Sequence, residues 1–121
     1  MTQSLSRIRS EAFRRQAGRC HYCGVLMWAK DGDAFARSHG VPLSAIRLLK
    51  CTAEHLQARQ DGGENTQANI VAACLRCNRQ RHQGWKKALE PETYLQHVRR
   101  QLSRKVWHRA PVFERGLIVT T

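Results

Sequence analysis

The sequence predicts an α+β domain, with helices towards both ends of the chain and short strands in its middle. Three observations carry this. Apolar residues recur at helical spacing near the start (Leu5, Ile8, Ala12, Phe13) and near the end (Leu95, Val98, Leu102, Val106). Val25 to Trp28 is a short apolar run of strand length followed by a turn, and Leu48 to Leu56 is expected to supply a strand carrying Glu54 and His55 ahead of the Asp61-Gly62-Gly63 loop. Two Cys-x-x-Cys pairs, Cys20-His21-Tyr22-Cys23 and Cys74-Leu75-Arg76-Cys77, bracket that middle.

Taken in order, the first helix covers residues 5–16, and Gly18 lies where it would stop. A strand at 25–28 leads to a turn at Asp31-Gly32-Asp33. Residues 29–47 have no readable role: a helical turn from Ala34 to His39 is broken by Gly40-Val41-Pro42, and the segment reads as an insertion. The strand at 48–56 carries Cys51, a small apolar residue suited to a buried position. Asp61-Gly62-Gly63 makes the next loop, with glycine chosen for positive φ. A helix over Asn78 to Leu89 is expected despite Gly84, and Pro91 suits the first turn of the last helix. The tail from Gly116 to Thr121 is an edge strand or unpaired chain. Trp85 and Trp107 read as packing residues, and His21, His39, His97 and His108 as surface residues.

At 121 residues the chain has the size of one domain with a modest core. It lacks the pattern of a signal peptide, and no apolar run approaches the roughly 18 residues that would cross a membrane. A soluble, cytoplasmic protein is expected. The formal net charge of +12 is unevenly spread. Residues 1–19 hold five basic and one acidic side chain, residues 20–75 five of each, and residues 76–121 eleven and three. Basic ends around a neutral middle favour a polyanion, and nucleic acid is the common one, because neutralised phosphates release counterions.

Five cysteines in an intracellular chain do not form a disulfide framework, and an odd number leaves one unpaired. Each Cys-x-x-Cys can turn both thiolates towards one tetrahedral ion, so Cys20, Cys23, Cys74 and Cys77 together make a four-cysteine site for a structural zinc. Such an ion would clamp segments far apart in sequence, and folding should depend on it.

The residues between the two pairs resemble the HNH endonuclease family, whose site is a ββα-metal motif. The resemblance rests on Cys20-His21-Tyr22-Cys23-Gly24, Ala53-Glu54-His55-Leu56, Asp61-Gly62-Gly63-Glu64-Asn65, Asn69 to Cys74, and Cys77-Asn78-Arg79-Gln80-Arg81-His82. It implies a single zinc-stabilised domain over 1–121, with its core motif at 20–82 and basic helical extensions at 1–19 and 83–121. It also implies His55 as the general base that deprotonates water, and Asn69 as the residue whose hydrogen bonds fix the loop and orient that base. A histidine titrates near neutrality, which suits the first role.

Glu54, Asn78 and His82 are the candidate ligands of a second, catalytic divalent metal: magnesium, manganese, nickel or zinc. Asn78 and His82 are one helical turn apart and share a face. Glu54 stands where the family more often has Asp or His. Beside His55 on a strand it would point to the opposite face, so a bulge or twist is expected to bring both into use. Each residue also has a plainer reading: His55 as a strand histidine, Asn69 and Asn78 as helix caps, His82 as a solvated side chain.

Arg59, Arg76, Arg79 and Arg81 flank these residues and are candidates to grip phosphates, with the basic pairs at 86–87, 99–100 and 104–105 extending the footprint. The expected activity is metal-dependent hydrolysis of DNA, with double-stranded DNA as partner, leaving a 3′-hydroxyl and a 5′-phosphate as the family implies. Cutting both strands with one metal site would be easier for a homodimer. The rival expectation is a zinc-stabilised DNA-binding module that does not cut.

Overall fold

Gln16 shows how the two ends of the motif are tied together. Its side-chain amide donates to Ala72 O and accepts from Ala72 N, at 2.8 and 2.9 Å, so it mimics a strand residue and docks the first helix on the sheet. The computed structural model describes residues 3–119. Helix α1 spans Leu5–Arg15, starts where the Ser4 hydroxyl accepts from Arg7 N, and buries Ile8 and Ala12. Two strands, β1 (Cys51–His55) and β2 (Ile70–Cys74), pair antiparallel with Cys51 opposite Cys74 and His55 opposite Ile70. Helix α4, Leu75–Gln83, follows β2 without a loop. The ββα unit is therefore continuous from Cys51 to Gln83.

Around it stand α2 (Gly32–His39), α3 (Leu43–Ile46), α5 (Pro91–Ser103) and α6 (Ala110–Glu114). Asp31 caps α2 through Ala34 N at 3.0 Å, and Gly40 ends it at φ 68°, so the segment with no readable role is a pair of short helices of which the first is capped at both ends. The core gathers Tyr22, Val25, Leu49, Ile70, Tyr94 and Val98. Burial of these side chains, at about 1.5–3 kcal/mol for each large one, is what a two-stranded sheet needs, since an isolated pair of strands is marginal.

Three local expectations are corrected. Val25 to Trp28 is extended but forms only isolated bridges, Arg19 with Leu26 and Trp28 with Lys50, because no partner strand runs beside it. The helix expected from Asn78 begins at Leu75 and stops at Gln83, so it includes Cys77 and takes Cys74 as its N-cap. Val106 lies beyond the end of α5 and is exposed, while Tyr94 takes the buried place that the apolar stripe assigned at its start to Leu95. Of the two readings of the tail, unpaired chain is the one seen among its described residues: it buries Leu117 and Ile118 and accepts from Leu26 N on Leu117 O at 3.0 Å, while Thr120 and Thr121 lie outside the described residues. Cys51 is buried on β1, as expected.

Candidate metal centre and cleft

The cysteine cluster is built by local turns. Gly24, at φ 74°, closes the turn that carries Cys20 and Cys23, with Gly24 N bonded to Cys20 O at 3.0 Å. Cys74 ends β2 and serves as the N-cap of α4, its sulfur accepting from Cys77 N. All four sulfurs are buried and lie within 4.8 Å of one another. Four ligands on bonds of about 2.3 Å in a regular tetrahedron sit about 3.8 Å apart, and Cys23 and Cys74 are 3.8 Å apart. Four buried cysteines are thus placed to hold one metal ion.

The electrostatics agree. Burial pushes the thiols of Cys23, Cys74 and Cys77 up; for Cys20 burial acts the same way, but hydrogen bonds from the other three overcome it and hold that thiol well below its ordinary value. Protein groups alone favour one thiolate here. Four need a cation among them.

Two side chains from the 107–108 segment hydrogen-bond to this centre, and the sequence reading missed both. Trp107 Nε1 donates to Cys77 Sγ at 3.3 Å, and His108 Nε2 lies 3.3 Å from Cys23 Sγ. His108, expected on the surface, is only 8% exposed, because α5 folds the chain back over the cluster. Burial holds its pKa down at about 4.

The second cluster lies where β1 ends against α4. An open cleft of about 510 Å³ is lined by Glu54, His55, Asn78 and His82, with Arg59 and Lys86 at its edge. Glu54 is 1% exposed, and its carboxylate accepts on both oxygens: Oε2 from Tyr22 OH and Arg81, each at 3.1 Å, and Oε1 from His82 Nε2 at 2.9 Å. Burial and the neighbouring Glu54 charge push the Tyr22 hydroxyl far up, so it stays protonated and donates. No bulge is present. Register is straight through Glu54 opposite Val71 and His55 opposite Ile70, and both side chains border the cleft because His55 is the last residue of β1.

His55 Nε2 lies 2.7 Å from Asn65 Oδ1. An amide oxygen has no proton to give, so Nε2 donates and Nδ1 is left as the ring's acceptor. Asn65 was part of the quoted motif yet received no role, and only its place straight after Gly-Gly-Glu signalled it. Asn69 works on the same loop: its Oδ1 accepts from Gln57 N at 2.8 Å, and its Nδ2 donates to Gln57 O and Glu64 O at 3.1 and 3.0 Å. It does not cap a helix, for β2 follows it. Gly62 takes φ 90°, whereas Gly63 is needed for space: a Cβ there would overlap the Gln57 carbonyl. Asn78 sits inside α4 and caps nothing; its Nδ2 donates to Thr52 Oγ1 and Ala53 O, at 3.0 and 3.1 Å.

Arg81 is the clear correction. Expected to grip phosphate, it is 3% exposed and all three guanidinium nitrogens are engaged, donating to Glu54, His55 O, Leu56 O and Leu89 O at 2.9–3.1 Å. Arg76 is half-buried and lies over the Trp107 ring, 4.8 Å from its centroid, beside the cysteine cluster rather than the cleft. Arg59 and Arg79 are exposed. Trp85 and Trp107 pack around Tyr94 and His97. Among the described residues no helix is long and apolar enough to cross a membrane.

No curated protein matches the chain significantly. Compared with known families, residues 20–84 match the one described as HNH endonuclease, a span that begins at the first cysteine and ends just after α4. That span is more than half of the 121 residues and contains the cysteine cluster and, of the cleft, Glu54, His55, Asn78 and His82. The chain belongs to the HNH endonuclease family.

Proposed function

We propose that this protein is a metal-dependent endonuclease that hydrolyses phosphodiester bonds of double-stranded DNA. The observation that carries the reading is the convergence of Glu54, His55, Asn78 and His82 on one open cleft in a chain of net charge +12.

Each residue then has a task. His55, with its proton held on Nε2 by Asn65, presents Nδ1 to take a proton from the attacking water. Asn69 holds the loop that carries Asn65, so the imidazole cannot turn away. Glu54, His82 and the carbonyl oxygen of Asn78 suit a divalent cation by their chemistry: a carboxylate, an imidazole and an amide. Spacing supports this, since two adjacent ligands on bonds of about 2.1 Å stand about 3 Å apart, and Glu54 Oε1 and His82 Nε2 are 2.9 Å apart. Such a cation, when bound, supplies positive charge to the scissile phosphate and the leaving oxygen. Arg59, Lys86 and Lys87 border the cleft with free charges suited to the flanking phosphates. The four-cysteine site suits zinc by its ligand set and has no position open for chemistry.

One observation favours a second reading, a module of the same fold that binds DNA without cutting. Glu54 already accepts from Tyr22, Arg81 and His82, and a carboxylate so fully engaged binds a cation less readily. Nicking of supercoiled plasmid across a panel of divalent metals separates the two. The nuclease reading expects metal-dependent nicking that falls about 100- to 10,000-fold in His55→Ala while DNA binding persists. Tight binding without nicking under every metal gives the second reading.

A further inference from the structure

We infer that a groove walled by α1, the α2–α3 insertion and the start of α4 is a seat for DNA on one side of the cut. The inference rests on the nucleic-acid reading above and adds a location, a polarity of footprint and a role for the insertion.

This groove, of about 1100 Å³, carries five cationic side chains: Arg9, Lys30, Arg47, Lys50 and Arg79. Against them stand Asp31 and Asp33, and Asp31 already accepts from Ala34 N as the cap of α2. Among the described residues none of the five cations has a carboxylate partner within salt-bridge distance, the pairs formed being Arg7 with Glu11, and Glu54 with Arg81 and His82. Residues 20–75 are neutral by count, yet folding separates their charges. Glu54 is buried, Asp61 and Glu64 go to the loop after β1, and Lys30, Arg47 and Lys50 turn into the groove. Asp31 and Asp33 stay beside those three, and Arg9 and Arg79 join them from outside the segment, so the groove carries five cationic against two anionic side chains.

Two elements join the groove to the cleft. On β1, Cys51, Thr52 and Ala53 border the groove, and Ala53, Glu54 and His55 border the cleft. On α4, Asn78 faces the cleft and Arg79 the groove. Groove and cleft share Ala53, so phosphates seated in the groove would lie next to the scissile one, on the side of Cys51 and Arg79. Trp28 stiffens the wall: its Nε1 donates to Ile46 O at 2.8 Å, and Lys50 Nζ stands 5.8 Å from its ring centroid.

The test uses Arg47→Gln with Lys50→Gln, both exposed, and as a charge-matched control Arg109→Gln with Arg115→Gln at the two ends of α6, which are exposed and border neither groove nor cleft. Anisotropy titrations of a duplex of about 20 base pairs are run in the His55→Ala background, so that nothing is cut. At about 0.15 M salt the groove pair is expected to lose at least tenfold in affinity, with the salt slope falling by about 2, while the control moves less than threefold. With His55 intact, single-turnover nicking at saturating protein stays near the parent rate, because the groove binds and does not react. Lys30→Gln with Arg79→Gln repeats the test should the first pair melt abnormally. Equal losses in groove and control pairs, beside a parent protein that nicks, overturn the groove alone. A parent that binds without nicking ends the nuclease reading and leaves the groove to stand on its affinities. A parent that does not bind DNA overturns both.

Discussion

Replacing Arg81 by Met removes a charge while keeping most of the side chain's length, and the structure fixes what should follow. In the parent the guanidinium satisfies Glu54 Oε2, two carbonyls at the end of β1 and the carbonyl of Leu89, all from a residue that is 3% exposed. Without it, Glu54 keeps a buried negative charge with only Tyr22 and His82 beside it. Removing one partner of a buried ion pair costs about 3–5 kcal/mol, and the three orphaned carbonyls regain water only in part. For a domain whose total stability is about 5–15 kcal/mol, this is a large fraction, and at about 4 °C per kcal/mol the melting temperature should fall by about 12–20 °C. Thermal and urea unfolding with the cysteine site kept metal-loaded measure it. A phosphate-gripping Arg81 would give the opposite pattern: an unchanged melt and a DNA salt slope reduced by about 1. Loss of less than about 1 kcal/mol would refute the structural argument.

Other predictions rest on separate contacts. Chelation of the metal at Cys20, Cys23, Cys74 and Cys77 should unfold the domain, with one tightly held ion per chain by elemental analysis; an unchanged melt after metal removal would sink the clamp. His108→Phe should leave the four ligands in place and weaken metal retention by about 10- to 100-fold in a chelator competition, because it removes a hydrogen-bonding neighbour of Cys23. Asn65→Ala should lower the nicking rate about tenfold with little change in stability, and Asn65→Asp, which keeps an acceptor for His55 Nε2, should recover most of it; equal rates for both variants would remove Asn65 from the site. Gly63→Ala should disturb the loop under His55 more than Gly62→Ala, since the first meets the Gln57 backbone and the second meets only its positive φ.

How much of this was legible follows from how local each cause is. The cysteine pairs, α1, α5 and the burial of Cys51 depend on spacing and periodicity, which a sequence displays. The α2–α3 segment did not show itself because its two helices are eight and four residues long, too short for periodicity to separate from loop. Charge misled in both directions. Arg81 looked like its neighbours Arg76 and Arg79, and what distinguishes it is Glu54, a partner 27 positions away. The cations of the insertion looked balanced within residues 20–75, and what the count does not show is that Arg9 and Arg79, distant in sequence, stand beside them in one groove.

Tyr22 explains why the cysteine cluster and the cleft have to be considered together. It sits between Cys20 and Cys23, so its backbone is set by the turn that presents those sulfurs. Its ring packs edge-on against Tyr94, which in turn donates to Cys77 O at 2.6 Å, and its hydroxyl donates to the buried carboxylate of Glu54. An ion on the four sulfurs therefore fixes one of the three donors that orient Glu54. Tyr22→Phe isolates this link, because the ring packing is kept and only the hydroxyl is lost. It should leave the metal content of the cysteine site unchanged and cost about 1–3 kcal/mol for the charged acceptor left short of a donor. Nicking, with Glu54 now freer to turn, should show a changed dependence on the concentration of added divalent metal. A variant that titrates with metal as the parent does would mean that Arg81 and His82 orient Glu54 by themselves, and that the two centres are neighbours without being coupled.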